Sequence, residues 1–393
     1  MDGKKLPDGA LGHVMTVGHF CCDMNQAMVP ALLPFLVVQR GIDYTSAAGL
    51  MFASSFLSSL IQPLLGVIAD RKQRPWLMSA GVLITGLGIA AIGFLTNYWA
   101  VFAAIMTSGF GSAVFHPEGG RMANCVAGEK KGRGMSNFIV GGSFGYVVGP
   151  MVAAFCVSLM GLRGTAVVLV PTLAVSAALF LLKSRFQRIS DANKREVKES
   201  LASSGQKDDW PAFLRFSVSI FSRSIMHTGL TTFIPLYWVS VLLQTQEFGS
   251  LMVTVMALAG TISTFIGGRL ADRYGFRRVI RLALAVMFPM IIFMLMTNNV
   301  WLAMMFIMLC TGASNLAHSP SIVLGQKYLP NHLGLASGVT MGLVLSMGGI
   351  FSPLLGRIGD NHGLTTVLYV IAGIALFTFL ASLLLKKPAS DGA

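Results

Sequence analysis

The stretch GVIADRKQR at residues 66–74 returns as GRLADRYGFRR at residues 268–278. Both copies place a glycine, an Asp-Arg pair and further arginines at the polar end of a long apolar segment. A similar offset of 201 to 203 residues separates other pairs of residues, which are His116/His318, Pro150/Pro353 and Pro34/Pro235. A shared offset predicts two homologous halves in the same order, as in transporters built from parallel repeats.

The composition places both halves in a membrane. Hydrophobic residues make up 54% of the 393 positions and charged residues 11%, whereas soluble proteins carry roughly 25% charged residues. Apolar segments recur that are long enough to cross ~30 Å of hydrocarbon as helices. The sequence predicts an all-α membrane protein whose twelve spans cover residues 11–37, 45–69, 76–96, 99–127, 134–160, 164–183, 211–240, 248–270, 279–297, 300–326, 335–355 and 365–385.

The positive residues behind the net charge of +13 indicate how the chain is oriented in the membrane. Most of the 29 Lys and Arg residues fall on one side of these spans, which is the bias that marks the cytoplasmic side. We therefore expect a multi-pass protein of the cell membrane, the inner membrane of a bacterium, with both termini in the cytoplasm. The lipid bilayer is its expected partner, and nucleic acid is not.

One long hydrophilic stretch, residues 184–210, interrupts the apolar pattern between spans six and seven. It divides the chain into an N-terminal six-helix bundle at 1–183, a cytoplasmic linker at 184–210 and a C-terminal six-helix bundle at 211–393. We expect a flexible tether, with a surface helix as the alternative.

The sequence gives little support to an enzyme. It contains no phosphate-binding G-x-x-x-x-G-K-[ST] loop, no G-x-S-x-G elbow and no H-E-x-x-H pair. We expect no catalytic residues, no cofactor and no bound metal.

The two Gly–Asp–Arg loops resemble the signature loop of the major facilitator superfamily. In addition, VFHPEGGR at 114–121 and HFCCD at 19–23 resemble segments of the fosmidomycin-resistance-type efflux proteins. The resemblance implies two pseudo-symmetric six-helix bundles with the substrate cavity at their interface. It also implies that the loops act as a conformational latch, formed by Gly66, Asp70, Arg71, Arg74, Gly268, Asp272, Arg273 and Arg277. The alternative is that their arginines only mark the cytoplasmic side.

Asp23 is the residue of the predicted spans whose charge costs the most free energy to place in the membrane. It lies about 18 Å into span one, where an unpaired charge costs at least ~2.5–3.5 kcal/mol. His19 precedes it by one helical turn, and span seven carries Arg223 and His227 at the same spacing. We expect the two pairs to face each other across the cavity. Asp23, with His19 and His227, is then a site for coupled protons; the alternative is a structural ion pair between Asp23 and Arg223.

Arg223 has two interpretations as well. Its guanidinium stays charged and can bind a carboxylate or phosphonate through two hydrogen bonds, so it is a candidate anchor for an anionic substrate. It could equally serve as the counter-ion of Asp23. Both roles are compatible if substrate displaces Asp23 once Asp23 is protonated.

Span four adds His116, Glu118 and Arg121 around Pro117. Glu118 could relay a proton with His116, or it could pair with Arg121 as a gate or structural element. Position alone suggests further residues that line the cavity, namely Asn25, Gln26, Asn137, Tyr237 and Trp238. The segment GGSFGYVVGP at 141–150 resembles a motif of exporters in the superfamily, although tight helix packing explains it equally well.

The sequence therefore predicts a proton-coupled secondary transporter, an exporter working by antiport. Its partners are protons and a small anionic or zwitterionic organic compound, such as a phosphonate antibiotic, and we expect a monomer. A proton-coupled uptake symporter for an organic anion remains an alternative. So does a receptor or scaffold on the same fold, for which Asp23 would be dispensable.

Overall fold

A computed structural model describes residues 8–71, 74–126, 131–197, 208–329, 336, 339–340 and 344–386. Within these ranges, the side chains of residues 8–10, 58–60, 62–71, 124, 131–136, 193–197 and 344–346 lie outside the description. The described backbone is almost entirely helical and contains no strand. The predicted all-α fold is therefore confirmed.

The first half of the chain contains α1 to α7. These helices are α1 (Asp8–Arg40), α2 (Tyr44–Arg71), α3 (Trp76–Ala91), α4 (Tyr98–Val126), α5 (Lys131–Met160), α6 (Leu169–Leu181) and α7 (Lys183–Val197). Short 3-10 segments extend α3 at Ile92–Phe94 and precede α6 at Gly161–Val168.

The second half contains α8 to α14. These are α8 (Trp210–Ser240), α9 (Gln246–Tyr274), α10 (Phe276–Leu295), α11 (Val300–Leu316), α12 (His318–Tyr328), α13 (Val344–His362) and α14 (Leu364–Leu383). By length and apolar composition, eight stretches of the described residues can cross a membrane, which agrees with a multi-pass membrane protein.

The tenth predicted span, 300–326, is broken into two helices. The break falls at Ala317, between α11 and α12. Pro320 explains it, because proline has no N–H to donate to the carbonyl of the residue four positions earlier. The break leaves His318 at the start of α12, where it reaches the site described below.

The packing divides the chain into two compact units. Unit 1 contains Met1–Val29 and Ala53–Ser203, and unit 2 contains Pro30–Phe52 and Ser204–Ala393. The sequence assigns residues 30–52 to the first six-helix half, whereas the packing groups the end of α1 and the start of α2 with the second. The boundary near residue 203 falls inside the predicted linker.

The first part of the linker differs from the flexible tether that the sequence suggested. Residues 183–197 form α7, which packs against α4 in unit 1. Phe186 and Ser190 are fully buried there, and Arg121 of α4 donates a hydrogen bond of 2.8 Å to the Ser190 hydroxyl. Phe186, the partly buried Ile189 and this hydrogen bond thus anchor an otherwise polar helix. Residues 198–207 lie outside the described part of the chain.

The repeat is visible in the helix packing of each unit. In unit 1, Gly145 of α5 lies so close to α1 that a Cβ there would collide with the carbonyl oxygen of Phe20. In unit 2, a Cβ on Gly348 of α13 would lie 2.7 Å from the carbonyl oxygen of Ser224 on α8. Phe20 and Ser224 are 204 residues apart, and Gly145 and Gly348 are 203 apart. Both halves therefore use a glycine to bring the equivalent pair of helices together.

The N-terminus of α2 is capped from a distant part of unit 2. Asp360, in the last turn of α13, accepts hydrogen bonds from the backbone N–H groups of Tyr44 at 2.7 Å and Thr45 at 2.9 Å. The Thr45 hydroxyl donates to the same carboxylate. A carboxylate at this position satisfies donors that the helix itself leaves unpaired and complements the positive end of its dipole.

Replacing this cap is expected to lower stability measurably. We expect Asp360→Ala to reduce the free energy of unfolding by about 0.5–2 kcal/mol, as lost N-caps do. Asp360→Asn, which keeps one acceptor oxygen, should lie between Asp360→Ala and the wild type. Thermal unfolding of the purified protein in detergent tests the series; an Asp360→Ala variant that unfolds at the wild-type temperature would show that the cap contributes nothing.

Candidate functional site

The centre of the site in unit 1 is a carboxylate held between two imidazoles. Asp23 Oδ2 lies 3.1 Å from Nε2 of His19, one turn earlier on α1. Asp23 Oδ1 lies 3.1 Å from Nε2 of His116 on α4. His19 and Asp23 are 8% and 4% exposed, so the carboxylate has little access to water and depends on these two partners.

Backbone carbonyls fix both imidazoles from behind. Nδ1 of His19 lies 2.7 Å from the carbonyl oxygen of Phe138 on α5, whose ring stacks on the imidazole at 4.1 Å between centroids. Nδ1 of His116 lies 2.9 Å from the carbonyl oxygen of Ser112. A carbonyl can only accept, so each Nδ1 carries the hydrogen of a neutral ring and each Nε2 faces Asp23 with its lone pair.

In this tautomer neither Nε2 carries a hydrogen toward Asp23. Two neutral imidazoles would set a lone pair against a carboxylate oxygen at each 3.1 Å contact. A proton on either Nε2 converts its contact into a charge-assisted hydrogen bond. A second proton, on the other Nε2, would satisfy the second contact in the same way.

Gly142 of α5 provides the space for this cluster. A Cβ at Gly142 would lie 2.5 Å from Asp23 Oδ2 and 2.5 Å from His19 Nε2. Such distances are shorter than real Cβ contacts, so a side chain at this position cannot coexist with the His19–Asp23 contact. The glycine belongs to the segment that the sequence associated with either export or packing, and the structure gives it a place beside Asp23.

The same three side chains are the group among the described residues that could hold a metal ion. Their donor atoms lie within 4.8 Å of one another. The two 3.1 Å contacts between Asp23 and the imidazoles produce this spacing.

Glu118 does not share the cluster with His116. It is 1% exposed and is bound by Arg121, whose Nε donates to Oε2 at 3.2 Å and whose Nη2 donates to Oε1. Arg121 extends the contact to Ser190 of α7. This geometry favours the structural pair over the proton relay that the sequence offered as an alternative for Glu118.

Unit 2 contains a corresponding cluster built around a cation. Arg223, near the middle of α8, is 6% exposed. Its Nη1 donates to the carbonyl oxygen of Ser314 at 3.2 Å, and its Nη2 donates to Nδ1 of His318 at 3.2 Å. His227 lies one turn further along α8, with its buried Nδ1 lacking a partner in the described structure.

The predicted cavity residues fall into two groups. Asn25 is fully buried in unit 1 and donates to the carbonyl oxygen of Cys21 at 2.9 Å, while Gln26 donates to Ser108 at 2.9 Å. In unit 2, Tyr237 is 4% exposed and Trp238 is fully buried, with its indole nitrogen unpartnered among the described residues. Asn137 is exposed in α5. A substrate contact for any of these five stays a prediction.

The first predicted latch lies largely outside the described residues. Gly66, Asp70 and Arg71 lie in the helical backbone of α2, but their side chains are not described, and Arg74 is exposed just before α3.

The second latch is described throughout. Gly268 and Asp272 lie in α9, and Asp272 and Arg273 are exposed, with Arg273 stacked on Tyr274. Arg277 donates to the carbonyl oxygen of Leu385 at 3.1 Å. Arg277 therefore binds one carbonyl oxygen just beyond the end of the last helix, where a cation complements the helix dipole. The latch role of either loop stays a prediction.

Sequence reasoning missed two features of these clusters. It placed His116 with Glu118 rather than Asp23, and it left His318 without a role beyond its place in the repeat. The repeat offset could have revealed both features. At offsets of 204, 204 and 202 residues, unit 2 has Arg223, His227 and His318 where unit 1 has His19, Asp23 and His116.

Comparisons with known proteins agree with this architecture. The model of the family described as Major Facilitator Superfamily matches residues 15–339 and 216–393. The chain is 30% identical over 379 residues to the Uncharacterized MFS-type transporter YfnC of Bacillus subtilis (strain 168), covering 94% of this chain and 91% of the relative. It is 25% identical over 373 residues to the Fosmidomycin resistance protein of Escherichia coli (strain K12), covering 95% and 91%.

A solved structure supports the fold independently of these relatives. The bacterial homolog to the human lysosomal transporter Spinster, in an inward-facing and occupied conformation, superposes with a TM-score of 0.80. The superposition covers 99% of both chains at 12% sequence identity, so it concerns the fold alone. The family match and the 30% identical relative show that this chain belongs to the Major Facilitator Superfamily, whose members are membrane transporters and not enzymes.

Proposed function

We propose that this transporter is a proton-coupled exporter, working by antiport, of a small anionic or zwitterionic organic compound such as a phosphonate antibiotic. The observation that carries the proposal is the carboxylate of Asp23 held between His19 and His116. The relative named Fosmidomycin resistance protein supports efflux as the direction and a phosphonate as the substrate class.

The coupling follows from the hydrogen bonds of the cluster. With both Nδ1 atoms committed to carbonyl oxygens, protons bind at the two Nε2–Asp23 contacts. The protonated cluster is compact and satisfied, whereas loss of protons leaves a buried carboxylate facing lone pairs at both contacts. A conformational change that exposes the cluster to the other side of the membrane can then release the protons, so the proton gradient favours one direction of the cycle.

The placement of the protein is part of the same proposal. The excess of Lys and Arg on one side of the spans supports a bacterial inner membrane location with both termini in the cytoplasm. In that orientation the proton gradient across the inner membrane, which is directed into the cell, drives export by antiport. This mechanism assigns no proton to Glu118, His227 or the two loops. We also propose that the protein acts as a monomer.

The direct test uses inverted membrane vesicles with an imposed pH gradient, acidic inside, and labelled fosmidomycin. We expect the wild type to accumulate the compound until nigericin collapses the gradient. We expect Asp23→Asn to lower gradient-driven accumulation at least about tenfold, because each lost charge-assisted hydrogen bond of a buried group has a cost of that order. Asp191→Asn, which alters an exposed carboxylate of the same unit, is the matched control and should transport normally.

Other outcomes separate the alternatives. Accumulation that requires the vesicle interior to be alkaline would identify an uptake symporter. Gradient-driven accumulation that persists in Asp23→Asn would remove the proton from Asp23. A folded wild type that neither transports fosmidomycin nor responds to the gradient would contradict the proposed function.

A further inference from the structure

Unit 2 lacks the carboxylate that completes the equivalent cluster in unit 1. Along the repeat, Arg223 stands where unit 1 has His19, and His318 stands where unit 1 has His116. The position of Asp23, however, is occupied by His227. Unit 1 therefore surrounds its own anion with two imidazoles, while unit 2 presents a guanidinium and two imidazoles with no anion of its own.

The charge of Arg223 has no carboxylate partner in the described part of unit 2. The acidic residues described there each sit just before a helix or in its first or last turn; they are Asp43, Asp208, Asp209, Glu247, Asp272 and Asp360. Arg223 is instead near the middle of α8 and 6% exposed. Its hydrogen-bond partners in the described structure are the neutral Ser314 carbonyl and His318. A buried guanidinium without a counter-charge is costly, so an anion that enters from outside is stabilised there.

The sequence offered Arg223 and Asp23 as counter-ions of each other. In the structure, Asp23 already has two imidazole partners in unit 1. Each oxygen of Asp23 lies 3.1 Å from one imidazole in unit 1. The guanidinium of Arg223 is held in place by two hydrogen bonds within unit 2. Each group is thus fixed by its own unit, which leaves the remaining hydrogens of Arg223 available to a ligand.

The hydrogen bonds also determine which donors are available. An arginine can only donate, so His318 Nδ1 accepts from Arg223 Nη2, and the hydrogen of the neutral His318 ring lies on Nε2. Arg223 Nε and His227 Nδ1 are buried and have no hydrogen-bond partner among the described residues. An unpaired buried N–H on Arg223 is costly, which indicates that a ligand with acceptor oxygens completes this group.

We propose that Arg223, His227 and His318 form an oxyanion-binding subsite that takes the acidic headgroup of the transported compound, so that the ligand supplies in unit 2 the charge that Asp23 supplies in unit 1. This inference rests on the proposed function for the identity of the compound as a transport substrate. The subsite recognises a carboxylate, phosphate or phosphonate group through Arg223 as the charged anchor and the imidazoles as additional donors.

The experiment measures equilibrium binding to the purified protein in detergent, at constant ionic strength and without a pH gradient. The probes are fosmidomycin and its neutral phosphonate diester. We expect Arg223→Gln to weaken fosmidomycin binding at least about tenfold, the scale for a lost hydrogen bond to a charged group. The diester should bind weakly to the wild type and should be unaffected by Arg223→Gln.

Matched variants keep the result interpretable. Arg215→Gln removes an exposed arginine of the same helix and should bind fosmidomycin like the wild type. Arg223→Lys keeps the charge without the planar donor pair and should bind with intermediate affinity. If Arg223→Gln fails to fold, Arg223→Lys and His318→Leu carry the test, since both should weaken fosmidomycin binding and leave diester binding unchanged.

The proposal is overturned if Arg223→Gln binds fosmidomycin as tightly as the wild type, or loses affinity for the diester equally. If the wild type does not bind fosmidomycin, the minimal oxyanions methylphosphonate and acetate are used instead. Their binding is measured as a rise in the unfolding temperature with oxyanion concentration. Protection that disappears in Arg223→Gln supports the subsite, and absence of any Arg223-dependent protection refutes it. Binding needs no gradient, so a protein that binds fosmidomycin through Arg223 but shows no proton-driven transport would contradict only the proposed function.

Discussion

Replacing Glu118 by leucine is expected to destabilise the folded protein by about 3–5 kcal/mol, because it leaves a buried arginine without its counter-charge. The side chains of Glu118 and Arg121 are 1% and 14% exposed, and two hydrogen bonds join them. Thermal unfolding of the purified protein in detergent, followed by tryptophan fluorescence, measures the loss.

The double variant Glu118→Leu/Arg121→Met is the matched control. It removes both charges and should recover much of the lost stability, since apolar residues of similar volume often replace a buried pair at little cost. Recovery should be incomplete, because Arg121 also donates to Ser190 of α7. A double variant that is no more stable than Glu118→Leu would show that the ion pair is not what holds this region.

The same position separates the two roles that the sequence left open for Glu118. Glu118→Gln preserves the shape and one acceptor for Arg121 but cannot release a proton. If Glu118 is part of a structural pair, gradient-driven accumulation of fosmidomycin in Glu118→Gln vesicles should match the wild type. A loss as large as that expected for Asp23→Asn would instead assign Glu118 a proton in the transport cycle.

Replacing Gly142 by alanine is expected to abolish most proton-driven transport. The new Cβ would lie 2.5 Å from both Asp23 Oδ2 and His19 Nε2. Neither side chain can move away without losing a contact, since His19 Nδ1 is bonded to the Phe138 carbonyl and Asp23 Oδ1 lies 3.1 Å from His116 Nε2. Loss of one such charge-assisted contact corresponds to a decrease of about tenfold or more in gradient-driven accumulation.

Gly120→Ala provides the control for a generic glycine effect. Gly120 lies in α4 of the same unit, and a Cβ there would meet nothing within 4 Å. We expect Gly120→Ala to transport normally and to be as stable as the wild type or slightly more stable. Overpacking at Gly142 should cost about 1–3 kcal/mol of stability as well. A Gly142→Ala variant that couples transport to protons like the wild type would contradict the linkage between cluster geometry and coupling.

The sequence alone determined the class of this protein. Repeated loops at a common offset indicated two halves, and long apolar segments predicted the helices, because crossing hydrocarbon requires both length and apolar composition. The polar residues of interest were also recognisable, since Asp23 and Arg223 stand in segments where a charge is costly.

Only the tertiary structure decided which side chains meet. Helical spacing shows that His19 and Asp23 share a face, but it does not show which neighbouring helix that face contacts. His116 and Glu118 are two residues apart and so point in different directions from α4. His116 reaches Asp23 on α1, whereas Glu118 and Arg121 lie toward α7. Closeness in sequence therefore identified the pair of Glu118 and Arg121 but not the contact of His116 with Asp23.

The linker and the second cluster show the same division. The polar composition of residues 184–210 suggested a tether. The contacts of Phe186 and Ser190 that stabilise a helix there are made with unit 1 and are not visible in local sequence. In unit 2, the sequence identified Arg223 but not His318, which reaches it because Pro320 interrupts the helix and the packing of α8 brings the two together. Composition and segment length determine which segments form membrane-spanning helices. Contacts between distant segments determine what the polar residues of those helices can bind.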